Sequence, residues 1–205
     1  MPYFLHINDL PDDVSFDGDL AVDTETRGLN IVNRDRLCVV QISDGKGDAH
    51  LVHFPDGDFD KANRLKSLLA DEGRVKIFHY ARFDVAALKL YLNIDIKNIY
   101  CTKIASKLVR TYTDRHSLKE LCREYANVDL SKQQQCSDWS APELTPDQVA
   151  YAASDVLYLH AIRTKLDEVL LRENRVDLFR KCLDFLPERV ALDIGGWSEI
   201  DIFSH

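Results

Sequence analysis

The chain of 205 residues carries 34 acidic against 26 basic side chains, a formal net charge of −8, with 45% apolar and 29% charged residues. This is the composition of a globular protein large enough for a sizeable core, and it argues against a coat for long nucleic acid, because such binding rests on neutralising many phosphates. No apolar stretch approaches the roughly eighteen residues a transmembrane helix needs. The N-terminus lacks a secretion-signal pattern. The five cysteines, at 38, 101, 122, 136 and 182, form no CxxC pair. These features predict a mature cytoplasmic chain with reduced thiols and no membrane partner.

Residues 1–18, with their Pro, Asp and Gly, read as an irregular lead-in containing one edge strand. Leu20-Ala21-Val22 opens a strand that runs into Asp23-Thr24-Glu25. Leu37-Cys38-Val39-Val40-Gln41-Ile42 is a nearly continuous apolar run of the kind buried inside a sheet. It ends at Ser43-Asp44-Gly45-Lys46-Gly47, a turn sequence. A strand over 49–54 completes an antiparallel meander, and a helix over 59–69 leads to a short strand over 75–78. From 81 onward the pattern is helical, with segments at 82–92, 102–110 and 117–125. The polar strip 129–144, with three consecutive glutamines, reads as a functional loop. Thr145 then caps a helix, Pro146 takes its first position and Gln148 completes a capping box. Apolar residues at 149, 152, 156, 159, 162, 166 and 169 mark one core-facing stripe. A last helix covers 175–185, and the tail over 190–205 carries Gly195-Gly196-Trp197 and Ile202-Phe203. The order predicts an α/β protein, a mixed sheet flanked by helices, without repeat, linker or second domain.

Asp23 and Glu25 stand at i and i+2 of a strand, so both carboxylates leave one face about 7 Å apart. Like charges that close are unfavourable unless a cation sits between them. Asp84 falls in the first turn of a helix, directly after Phe78-His79-Tyr80-Ala81-Arg82-Phe83. Tyr151 and Asp155, four residues apart, share the helix face opposite the apolar stripe. Taken singly, these features also fit a solvated strand end, helix-dipole electrostatics and plain surface. Together, four carboxylates and a phenol, each at an element end, are what two-metal phosphodiester hydrolysis needs. Mg²⁺ or Mn²⁺, hard cations with oxygen ligands, would activate a water and neutralise the leaving oxygen. No cysteine-histidine cluster, nucleophile elbow or P-loop competes with this reading.

On these residues the sequence resembles the DEDD exonucleases, in the tyrosine-containing DEDDy branch that includes ribonuclease D. The first motif is Asp23-Thr24-Glu25, the second ends at Asp84, and the third is Tyr151-Ala152-Ala153-Ser154-Asp155, in order across roughly residues 16–170. The resemblance implies a ribonuclease H-like fold and a metal-dependent 3′–5′ exonuclease. In it Asp23, Glu25, Asp84 and Asp155 would bind two divalent cations, Mg²⁺ or Mn²⁺, and Tyr151 would position the attacking water. Leu29, just after Gly28, matches the family's hydrophobic wedge between terminal bases. Further substrate contacts are expected from His79, from Arg110, Arg115, His116 and Lys119 at a loop-to-helix junction, and from Gln133, Gln134 and Gln135. A backbone-satisfied histidine, a solvated helix start and an ordinary polar loop fit the same residues.

Ribonuclease D continues into helical nucleic-acid-binding domains. Residues 1–205 are instead expected to form a single exonuclease domain with a C-terminal helical tail and no accessory RNA-binding domain, as in the compact bacterial nanoRNases. That likeness implies cleavage of short single-stranded RNA, dinucleotides included, to nucleoside 5′-monophosphates. It also implies a homo-oligomer, an octameric ring, with the apolar segment 194–203 packed on the body or on a neighbouring subunit. A general ribonuclease D-like RNA-trimming enzyme, a DNA exonuclease and, last, a non-catalytic nucleic-acid-binding domain are the alternatives. RNA over DNA rests on the resemblance alone.

Overall fold

Apolar runs of strand length alternate with turn sequences up to residue 53, and the chain uses them to build a sheet before most of its helices. The computed structural model describes residues 2–131, 133–134 and 136–205. Among these described residues six strands form one mixed sheet: β1 (Tyr3–Ile7), β2 (Leu20–Thr26), β3 (Leu37–Ser43), β4 (Ala49–His53), β5 (Lys76–Phe78) and β6 (Ile99–Cys101), in the order β1-β4-β3-β2-β5-β6. The expected meander is present, with β3 antiparallel to both β2 and β4. The lead-in supplies its edge strand by laying β1 parallel to β4, while β5 and β6 run parallel to β2 on the other side. β3 is buried along its whole length, as a continuous apolar run in a central strand should be.

Among the described residues the α-helices are, in chain order, α1 (Asn63–Ala70), α2 (Ala81–Leu92), α3 (Thr102–Val109), α4 (Leu118–Leu121), α5 (Pro146–Leu157), α6 (Leu159–Arg172) and α7 (Val176–Leu192). α4 widens into a π turn over Cys122–Ala126. None of them is long and apolar enough to cross a membrane. They cover both faces of the sheet. Leu20 and Val22 pack with Val85, Leu88 and Leu92 of α2 on one face. Ala21, Val39 and Leu51 pack with Val149, Ala152 and Val156 of α5 and Ile162 of α6 on the other. Because side chains alternate along a strand, Asp23 and Glu25 share the α5 face with Ala21, and Thr24 faces α2.

Three expectations about elements need correction. β6 was not anticipated, because three residues are too few to show a period. The helix expected to run through residue 169 breaks at Tyr158 into α5 and α6, and the stripe ends on buried Leu170, with Val169 half-buried. The last helix does not stop at 185. It continues through Pro187 to Leu192. Proline removes one backbone donor, but Leu186 and Val190 bury themselves in the layer of α2, and this packing carries the helix past the missing bond.

Candidate active site

α5 begins on a complete capping box: Gln148 N donates to Thr145 Oγ1 at 3.3 Å, and Thr145 N donates to Gln148 Oε1 at 2.9 Å. With its start fixed and Ala152 and Val156 held in the core, α5 directs Tyr151 and Asp155 to the end of β2. Carboxylate oxygens of Asp23, Glu25 and Asp155 there lie within 4.8 Å of one another. Asp84 comes from the opposite layer, in the first turn of α2. It is only 3% exposed, and its Oδ1 accepts a hydrogen bond from Thr24 Oγ1 at 2.7 Å. All four acids and Tyr151 line one cleft of about 290 Å³, walled also by His79, Tyr80, Phe83 and Lys103.

The electrostatics of the cluster are unfavourable as they stand. Burial pushes Asp23 up to about 7. Burial first, then Asp23, Asp155 and Asp84, holds Glu25 well above the usual carboxylate range. Asp84 and Asp155 are raised by burial and then by Asp23. Among the described residues no lysine or arginine forms an ion pair with any of the four. Arg82 is bound to Asp193, Arg110 to Glu124 and Arg163 to Asp19. An all-oxygen donor set, crowded and without a counter-cation, fits divalent hard cations. Tyr151 is raised by burial and then by Asp155, Glu25 and Asp23, so its phenol stays protonated at neutral pH. Its ring lies against Trp139, with 6.1 Å between centroids.

The 3′–5′ exonuclease family matches residues 7–171 of this sequence. The chain belongs to that family. It is a DEDDy-type, ribonuclease D-like member closely related to NrnC, and its mixed sheet with flanking helices is the ribonuclease H-like fold of DEDD exonucleases. NrnC of Brucella melitensis, solved with bound Mg²⁺, is 48% identical with a TM-score of 0.93 and covers 100% of each chain. The same protein bound to pGG is 49% identical with a TM-score of 0.94, covering 100% of this chain and 99% of that one. Ribonuclease D of Acidiphilium cryptum is 32% identical over 141 residues, 69% of this chain. The exonuclease spans only 35% of the length of that curated relative.

The remaining expected contacts of the exonuclease divide. His79 lines the cleft, with Nδ1 2.8 Å from Thr102 Oγ1. Burial and then Lys103 push its imidazole down to about 3, so it meets a substrate neutral. Lys119 also lines the cleft, while pairing with Asp129 at 3.1 Å. Leu29 is 85% exposed and stands in an adjoining groove that shares Tyr80 and Phe83 with the cleft. Arg110 does not come to the cleft. Its guanidinium is buried against Glu124 (2.6 Å), the Arg115 carbonyl and Ser106, where it ties the turn after α3 to the helix that follows. Arg115, His116 and Gln134 do not line the cleft either. His116 Nδ1 is 2.8 Å from Ser106 Oγ, and Gln134 accepts from the Ser137 hydroxyl. Gln133 is exposed, and Gln135 lies outside the described residues.

Of the cleft residues not singled out from the sequence, Tyr80 and Lys103 meet as a pair. Tyr80 caps α2 at φ +80°, a conformation uncommon for an aromatic residue, and the Lys103 ammonium lies 4.1 Å from the centre of its ring. Tyr80 adjoins the second motif and could have been singled out as an aromatic beside an acid, whereas nothing local marks Lys103. Gln41 also escaped the sequence reading. It sits opposite Asp23 in the β2–β3 register, fully buried, and its side-chain amide has no hydrogen-bond partner among the described residues.

Proposed function

We propose that this chain hydrolyses the 3′-terminal phosphodiester bond of short oligoribonucleotides, dinucleotides included, and releases nucleoside 5′-monophosphates. The observation that carries this reading is the cluster of Asp23, Glu25 and Asp155 oxygens within 4.8 Å, unneutralised, at the floor of a cleft that Asp84 and Tyr151 complete. Asp23, Glu25, Asp84 and Asp155 would hold two divalent cations, Mg²⁺ or Mn²⁺. When bound, these supply charge stabilisation at phosphorus and make water a better nucleophile. Protonated Tyr151 beside Asp155 orients the water by hydrogen bonding. The water oxygen bonds to phosphorus, the bond from phosphorus to O3′ breaks, and the water's proton ends on the leaving O3′. The neutral His79 and the Lys103–Tyr80 pair on the wall suit a phosphate and a base.

Short substrates are favoured by the relative that binds pGG and by the net charge of −8, which leaves little basic surface for a long polyanion. We place the enzyme in the cytoplasm as a homo-oligomer, an octameric ring, in which residues 1–205 fold as one exonuclease unit. Tyr3, Phe4, Leu5 and Ile7 on the sheet edge, and Trp197, Ile200, Ile202 and Phe203 in the tail, are exposed apolar side chains of the kind that interface cores use. The similarity to ribonuclease D supports a second reading, general RNA trimming, and DNA remains an alternative substrate.

A time course with purified protein, Mg²⁺ or Mn²⁺, and 5′-labelled RNAs and DNAs of two to twenty nucleotides decides among them. The expected result is EDTA-sensitive cleavage, fastest on RNA dinucleotides and trinucleotides, by a particle whose scattering mass is near eight subunits. A stable monomer that shortens a 20-mer and stalls at the dinucleotide overturns the short-substrate reading in favour of trimming.

A further inference from the structure

Two acids of the cleft have a side-chain donor at hand. Asp84 Oδ1 accepts from the Thr24 hydroxyl at 2.7 Å, and Asp155 has the Tyr151 phenol beside it. Asp23 has only the Thr24 backbone amide, although its charge bears on all three of the others. The most central acid is therefore the least supported.

Directly across the β2–β3 ladder from Asp23 stands Gln41. Opposed residues of an antiparallel pair point to one face with Cβ atoms about 4.5–5.5 Å apart, a gap that an amide on two methylenes spans. Glu25, the next acid along β2, faces Val39, which has no side-chain donor to offer. Gln41 is fully buried, and neither Nε2 nor Oε1 has a hydrogen-bond partner among the described residues. A buried amide with both groups unsatisfied weakens the fold, whereas an apolar side chain of the same shape would fill the space without that penalty. An orphan of this kind calls for a role outside packing. Asp23 lacks a side-chain donor, Gln41 lacks an acceptor, and the two meet on one rung of the sheet.

Resting on the exonuclease reading, we propose that Gln41 is a positioning residue whose Nε2 donates to the Asp23 carboxylate and fixes the oxygen that Asp23 turns toward a divalent cation. Ligating carboxylates are held by such outer partners, and losing one costs about 10- to 100-fold in metal affinity. Gln41 touches neither substrate nor reacting atoms, so it acts on cation affinity and not on the bond that breaks.

The test titrates Mg²⁺ calorimetrically, without RNA, into the parent and into Gln41→Met, which keeps length and volume but loses donor and acceptor. Melting in EDTA and cleavage of an RNA dinucleotide across a Mg²⁺ series accompany it. The expected result is a Kd for Mg²⁺ raised about 10- to 100-fold, with the Mg²⁺ needed for half-maximal cleavage raised alongside and KM for the dinucleotide unchanged. The melting temperature in EDTA should equal or exceed the parent's, because the unsatisfied amide is gone. Gln41→Asn, with the donor on a shorter stem, should fall between. If Gln41→Met melts lower, Leu51→Ala decides, since Leu51 flanks Gln41 on β4 and offers no amide. Equal loss of Mg²⁺ affinity in both variants marks a loosened sheet and overturns the inference; loss in Gln41→Met alone upholds it. A Gln41→Met protein that binds Mg²⁺ within about twofold of the parent also overturns it and leaves the exonuclease reading standing. A parent that neither binds Mg²⁺ nor cleaves RNA overturns both.

Discussion

Taking one carboxylate from the cleft removes charge that holds or tunes a cation pair. Alanine at Asp23, Glu25, Asp84 or Asp155 is therefore expected to lower turnover by at least about 100-fold, and undiminished hydrolysis by Asp155→Ala would end the metal proposal. Tyr151→Phe keeps the ring against Trp139 and loses only the hydroxyl. It should cut kcat by about 10- to 10⁴-fold with little change in metal affinity; a variant that mainly fails to bind metal refutes the water-orienting role. Protons probe the same cluster. Each of the four acids has a folded-state pKa above its unfolded value, so the folded protein retains protons the unfolded chain has released. Their contribution is fully present below the unfolded range near 4 and is lost as pH rises toward 7 and beyond. Melting in EDTA should thus show a larger gain on adding Mg²⁺ at pH 8 than at pH 5.5, and an equal gain at both would contradict the raised carboxyls. The acids themselves were legible because strand and helix periods put Asp23 with Glu25 and Tyr151 with Asp155. Lys103 and the inward turn of Arg110 were not, because both depend on which distant segments meet.

α5 carries two of the five site residues, and its placement rests on a start signal that was visible in sequence and is complete in the structure. Losing the Thr145 hydroxyl leaves the Gln148 amide without its partner. Thr145→Ala should cost about 1 kcal/mol of stability in urea unfolding, with turnover falling less than for Tyr151→Phe; no loss would mean that packing alone holds the helix start. Elements with a long, continuous signal, such as the fully buried β3 and the capped α5, could be read from sequence. β6 could not, because Ile99-Tyr100-Cys101 shows no alternation worth counting and forms only when β5 offers an edge. The break at Tyr158 is silent for a different reason. No glycine or proline marks it, and the apolar stripe runs on through Leu159 and Ile162, so pattern alone joins α5 to α6. Pro187 misleads in the other direction, since a local breaker is outvoted by Leu186 and Val190 buried against α2.

For the molecule as a whole, the general plan, a mixed sheet between two helical layers, followed from the order of apolar runs. The division of labour between those layers did not, because it depends on how the sheet's faces are covered. Asp84 stands on the α2 layer, Tyr151 and Asp155 on the α5 layer, and Asp23 and Glu25 on β2 between them. Ions held by all four acids would act as rivets through the centre of the sheet, joining two halves of the core that otherwise touch the strand from opposite sides. The backbone amides of α2 and α5 should then slow their exchange with deuterated water together when Mg²⁺ is added, while those of β1, on the far edge, keep their rates. Slowing confined to α5 would mean that the ions grip one layer only.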